Sequence, residues 1–174
     1  MPGNENSSVL VTRSELLSYM DVGASGSASW KLIGEGFTTF TESKNPQEYE
    51  RHYVHEKSSR TDVVGYAPSI EYATDFYTQN EVIAKIAKIT DEELIGSDAQ
   101  VDICHVHTWD VKTPASDDTP ATCVAYKRRY AVIPDAKGDG TEALIYSGNM
   151  KAVGDVVKGT FNGTTFTPDT DSAG

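Results

Sequence analysis

Cysteine is scarce in this sequence. Cys104 and Cys123 are the only two among 174 residues, too few for a disulfide scaffold and without the Cys-x-x-Cys spacing of a structural zinc site, so free thiols are expected. No apolar run approaches the roughly 20 residues that a membrane-spanning helix needs. The opening Met1-Pro2-Gly3-Asn4-Glu5-Asn6 lacks the basic and apolar regions of a signal peptide, so folding in a cytoplasm, with no membrane partner, is the expectation. Positive charge is also short: 15 Lys and Arg against 26 Asp and Glu give a formal net charge of -11. Tight binding to nucleic acid is disfavoured, because that affinity comes mainly from cations neutralising phosphates. An anionic membrane surface is disfavoured for the same reason. There is no Gly-x-Ser-x-Gly elbow, no phosphate-binding Gly-x-Gly-x-x-Gly after a strand pattern and no P-loop. Carboxylates abound, but their mutual geometry is not written in the sequence, so a glycosidase-like pair stays open. The expectation is a protein with no cofactor, no metal and no catalytic residue.

What is present is enough to fold. Hydrophobic residues make up 38%, with nine Tyr, five Phe and two Trp, which is unlike intrinsic disorder and suits one domain. Strand signals dominate: β-branched and aromatic runs lie at residues 30–41, 48–56, 69–77, 101–112, 121–133, 142–151 and 155–161, separated by Gly, Pro, Asn and Asp. In the third run Ile70, Tyr72, Thr74 and Phe76 fall on one face, and Glu71 and Asp75 on the other. A single amphipathic helix follows Thr78, with Val82, Ile83, Ile86 and Ile89 as its stripe, Thr78 and Glu81 as a capping box and Gly96 as its stop. The spacing predicts a mainly β fold, a sandwich or half-barrel of about seven or eight strands with one flanking helix. Residues 1–29, rich in Gly, Ser and Asn, read as an extended arm, 30–168 as the β domain and 169–174 as a frayed tail.

Two local patterns complete the β reading. Asn162-Gly163 marks a hairpin turn with positive φ at both central residues. Residues 101–133 read as a second hairpin across the polar loop 114–120; pairing Thr113 with Ala121 puts Cys104 opposite Tyr130 and Cys123 opposite Val111.

His105 and His107 are the best metal candidates, two apart on a strand with Asp110 close by. A third ligand must come from elsewhere, and the shared face with Val101, Ile103 and Trp109 favours hydrogen-bonded packing histidines. More informative is the stretch from Glu48 to Lys57. Glu48, Glu50 and Glu56 share one face, while Tyr49, Arg51, Tyr53, His55 and Lys57 share the other. Neither is a normal core face. An acidic side backed by a basic aromatic side suits an inter-subunit interface, because Tyr and Arg are enriched at hot spots and opposite charges fix register. A solvated edge hairpin whose charges discourage aggregation is the plainer alternative. Charge is also segregated: from Asp91 to Asp118 eight acids face one base, Lys112, whereas Lys127-Arg128-Arg129 is a basic cluster on the expected partner strand. A solvated face explains this, and so does a surface that repels polyanions.

The layout of these elements resembles the major tail tube proteins of long-tailed, siphovirus-like bacteriophages. It is carried by residues 30–41, by 45–79 with Asp62-Val63-Val64-Gly65-Tyr66-Ala67-Pro68 and Ile70-Glu71-Tyr72, by the helix from Val82 to Ile89 and by Gly159-Thr160-Phe161-Asn162-Gly163-Thr164-Thr165-Phe166. The resemblance implies a virion structural protein, made in the host cytoplasm, whose copies join sheets into hexameric rings stacked as a tail tube. It also implies a tape measure protein inside the tube, tail terminator and distal tail proteins at its ends, and DNA passing during ejection without tight binding. Acidic walls suit that passage, and Glu71, Asp75, Asp102 and Asp110 are the expected lumen residues. The tube of a bacterial secretion or contractile machine is an alternative within the same class. From other classes come a carbohydrate-binding β-sandwich stacking sugars on Tyr49, Tyr53 or Trp109, and a metal enzyme using His105 and His107.

Overall fold

A computed structural model describes residues 8–138 and 140–170 of the chain. Its centre is one antiparallel sheet in the order β2-β1-β7-β8-β9-β6-β3. The strands are β1 (Leu16–Asp21), β2 (Trp30–Leu32), β3 (Phe37–Ser43), β6 (Ser69–Asp75), β7 (Gln100–Thr113), β8 (Thr122–Lys137) and β9 (Ile145–Ala152). β10 (Val157–Phe161) adds to β8 and carries β11 (Phe166–Pro168), whereas β4 (Pro46–Arg51) and β5 (Arg60–Tyr66) pair, among the described residues, only with each other. β8 is long enough to fork the sheet. Residues 123–127 pair with β10, and residues 130–137 pair with β9.

Alternation explains where the cores lie. Ile70, Tyr72 and Thr74 of β6 are buried as their spacing predicts, and they join Met20, Ile103, Tyr130, Val132 and Met150 inside the curl of the sheet. Helix α1 (Glu81–Asp91) lays Val82, Ile86 and Ile89 on this core. A smaller core sits on the other face of β1, β7, β8 and β10, where the Tyr19 and Phe161 rings meet at 4.6 Å beside the small Cys104 and Ala125. β7 and β8 are therefore apolar on both faces at their centres, and the sheet is a curled half-barrel rather than a flat layer.

Several expectations shift. The stretch expected as an arm contains β1, which pairs with β7 from Leu16↔His107 to Met20↔Ile103 and buries Met20 completely. Because the strand packs on both faces, no polar alternation announces it. Residues 1–7 of the arm and 171–174 of the tail lie outside the described residues. The run 30–41 is two strands: the chain breaks at Gly36, whose φ of 87° and lack of Cβ let it approach the Asp75 carbonyl, 2.9 Å from where a Cβ would sit.

The cap of α1 is Asn80, not Thr78: its carboxamide oxygen accepts from the Val82 and Ile83 amides at 3.0 and 3.2 Å. The helix ends at Asp91, with Glu93 in the left-handed region, so Gly96 instead opens a short 3-10 turn, Gly96–Ala99. The Asn162-Gly163 turn is longer than two residues. Only Gly163 has positive φ, while the Asn162 side chain accepts from the Thr164 and Thr165 amides at 3.0 and 2.8 Å. Between β7 and β8, Val111 does face Cys123, but bulges past His107 move Cys104 opposite Lys127 and pair Thr113 with Thr122. Both thiols are free.

Candidate assembly surface

The β4–β5 hairpin stands apart from both cores. Every residue of β4 is exposed, as is every residue of β5 except Gly65. Val63, Val64 and Tyr66 are 53–63% exposed, and Val54 at the tip is fully so. An isolated two-stranded ribbon is marginal in water, and one that shows aliphatic and aromatic side chains has the composition of a contact surface. Arg51 lies 4.8 Å over the Tyr49 ring, Tyr53 stacks on His55 at 6.1 Å, and Glu56 pairs with Arg60 at 3.1 Å across the turn. The expected alternation stops at Arg51. Tyr53, His55 and Lys57 belong to the connecting turn, so the five named residues share one projection without sharing one strand face. β5 itself is not legible from alternation, because Val63 and Val64 are adjacent and both exposed.

The four acidic candidates are dispersed along the sheet. Glu71 and Asp75 of β6 point away from the core, with Glu71 flanked in register by Thr41 and Asn149. Asp102 lies on the same face three strands away, but Arg129 holds it with two bonds of 2.8 and 3.2 Å, which neutralises its charge. Asp110 is exposed at the bulged end of β7. The basic cluster is split likewise: Lys127 and Arg129 take the outer face of β8, while Arg128 turns inward opposite Ile103.

Inside the curl, His105 and His107 are packing residues. His105 Nδ1 bonds Ser18 Oγ at 2.9 Å and its Nε2 lies 3.2 Å from Glu42 Oε2. His107 stacks on Trp109 at 4.5 Å and tilts against Tyr126 at 5.1 Å. Burial disfavours its charged form and pushes its pKa down, and the nearby His105 adds to this. Among the described residues no group of three or more His, Cys, Asp or Glu side chains is placed to hold a metal ion. Burial works against ionisation of Glu42, yet His105 and Lys44, whose Nζ is 2.6 Å from Oε1, together hold its carboxyl down at about 2. This group lines a cleft of about 600 Å³ at the root of the hairpin, bounded by Tyr66, Pro68, Tyr126 and Arg128.

No family model and no curated protein matches the chain. Solved structures do. The tail of an empty gene transfer agent particle, refined helically with C6 symmetry, aligns over 91% of this chain and 99% of its own, with a TM-score of 0.50 and 14% identity. The fold is the fold of that tail chain. A chain in the virion of a native gene transfer agent particle aligns over the same shares, with a TM-score of 0.48 and 12% identity.

Proposed function

We propose that the chain is a structural subunit of a phage-like tail, located in the virion, whose copies self-associate into six-membered rings stacked as a tube. The observation that carries this reading is the β4–β5 hairpin: a projecting ribbon with exposed Val54, Val63, Val64 and Tyr66 gains a core only against another molecule. The fold shared with a tail assembled in C6 symmetry supports it. So does β3, which among the described residues pairs on one side only, with β6, and offers the free edge that sheet-to-sheet joining needs. In this reading the role is geometric rather than catalytic. The face bearing Glu71 and Asp75 lines the channel and repels DNA, and Tyr49, Arg51, Tyr53, His55 and Lys57 meet the adjacent subunit or ring. Tape measure, terminator and distal tail proteins complete the assembly.

Negative-stain electron microscopy across a concentration series, with light scattering on the same samples, tests the reading. Rings or tubes with a central channel are expected. Protein that stays monomeric at every concentration, and also on a preformed ring or tube end offered as a nucleus, overturns it.

A further inference from the structure

We infer that the β4–β5 ribbon is self-complementary: the cationic face of one copy's hairpin stacks on the acidic face of the hairpin of a second copy. The inference rests on the self-assembling reading above and names one contact within it. Residues directly opposite in an antiparallel pair share a face, so the register of the ribbon assigns each side chain a side. Glu48 pairs with Val63 and Glu50 with Thr61, and that face carries two carboxylates and no base. Tyr49 pairs with Asp62 and Arg51 with Arg60, and the other face carries two guanidiniums, an aromatic ring and a single acid. All eight side chains are exposed.

The charges on these faces lack counterions within the molecule. Like charges directly opposite one another repel, and of the Arg51–Arg60 pair only Arg60 is relieved, by Glu56 at 3.1 Å. Arg51 has the Tyr49 ring, 4.8 Å from its guanidinium carbon, and among the described residues no carboxylate. Glu48 and Glu50 likewise have no base, while Arg129, Lys137 and Lys44 are already held by Asp102, Asp91 and Glu42. The two faces lie back to back on one ribbon and cannot meet within a molecule. Between two copies they can, and because both are cut from the same two strands their length and twist match. Stacking at the usual sheet spacing of about 10 Å also covers Tyr49 and Val63.

The size of the face decides what such a contact can build. Six register pairs make a strip roughly 20 Å long and 10 Å wide, far below the roughly 800 Å² that each partner contributes to a stable complex. One stacked pair therefore does not hold as a dimer. The contact is heterologous, cationic face on acidic face, and it acts as one of many repeats in a ring or stack, where each repeat raises the effective concentration of the next.

Two charge-reversed variants of the full-length protein test this. Arg51→Glu makes both faces acidic, and Glu48→Lys with Glu50→Lys makes both cationic. Neither touches a core, so each monomer should melt as the wild type does. Each variant alone should need about tenfold or more the wild-type concentration to assemble, read by sedimentation and electron microscopy. An equimolar mixture of the two should assemble near the wild-type concentration, because unlike copies then alternate. Folded variants that assemble singly at the wild-type concentration overturn the inference and leave the subunit reading standing. So does a mixture that fails as its components do, which puts the hairpin against some other surface of the neighbour. Should either variant not fold, the wild type in rising salt decides: the assembly concentration should climb as the exposed charges are screened, and assembly indifferent to salt overturns the contact. A wild type that never assembles overturns the subunit reading, and this contact with it.

Discussion

His105 Nε2 and Glu42 Oε2 lie 3.2 Å apart although their strands, β7 and β3, are four steps apart in the sheet order. In a flat sheet that separation is roughly 19 Å. The contact therefore marks the curl, and with the Tyr130 hydroxyl bond to Glu42 at 3.2 Å it ties the free edge strand back over the core.

Acid should loosen this tie. The Glu42 carboxyl is held at about 2, below its ordinary 4.5. A depressed carboxylate stabilises the fold above its unfolded pKa, and that contribution is lost as pH falls from about 4.5 towards 2. At most about 3 kcal/mol is at stake. Urea midpoints measured between pH 6 and pH 2 should fall in the wild type, and Glu42→Gln should start lower and lose less across this window.

The hairpin should matter for assembly and little for the fold. Val54→Asp and Val64→Asp change side chains that touch neither core, so the monomer's stability should shift by about 0.5 kcal/mol or less. Self-association should drop sharply in both. Thermal melts paired with light scattering check the two halves of this expectation, and a variant that melts early would show the hairpin to be part of the core.

If Glu71 and Asp75, which face away from the core, line the channel of the proposed tube, Glu71→Lys combined with Asp75→Lys should leave tubes intact while impairing DNA passage, because the reversed charges would hold phosphates. Ejection assays on particles carrying the double variant measure this. Normal ejection removes these residues from the channel wall.

Gly36→Ala should destabilise the monomer by about 1–3 kcal/mol, since φ there is 87° and the new Cβ would sit 2.8 Å from Ile83 Cδ1 and 2.9 Å from the Asp75 oxygen. Chemical denaturation of the purified variant provides the number.

Thiol labelling should be ordered. Burial pushes Cys104 up to about 12, and it pushes Cys123 up as well, although that side chain is only half-buried. Alkylation of the native protein followed by peptide mapping should find Cys123 modified first, with Cys104 reacting only on unfolding.

The sequence by itself determined the class of the fold and much of its framework: the alternation through Ile70, Tyr72 and Thr74, the stripe from Val82 to Ile89, and the order of strands from β6 onward. These are local periodicities, and each is dictated by which side chains must leave water. It also marked the stretch from Glu48 to Arg51 as unsuited to any core, which is where the free hairpin stands. Tertiary structure decided the rest. β1 could not be read because both its faces pack, so it has no polar side to alternate with. The bulges after His107 set the partner of Cys104, and a bulge leaves no fixed residue signature. The approach of Glu42 to His105, the pairing of Asp102 with Arg129 and the inward turn of Arg128 join residues 27 to 63 positions apart or depend on which way a strand faces. Such relations exist only once the sheet has curled, because register and curvature, unlike periodicity, are properties of the whole chain.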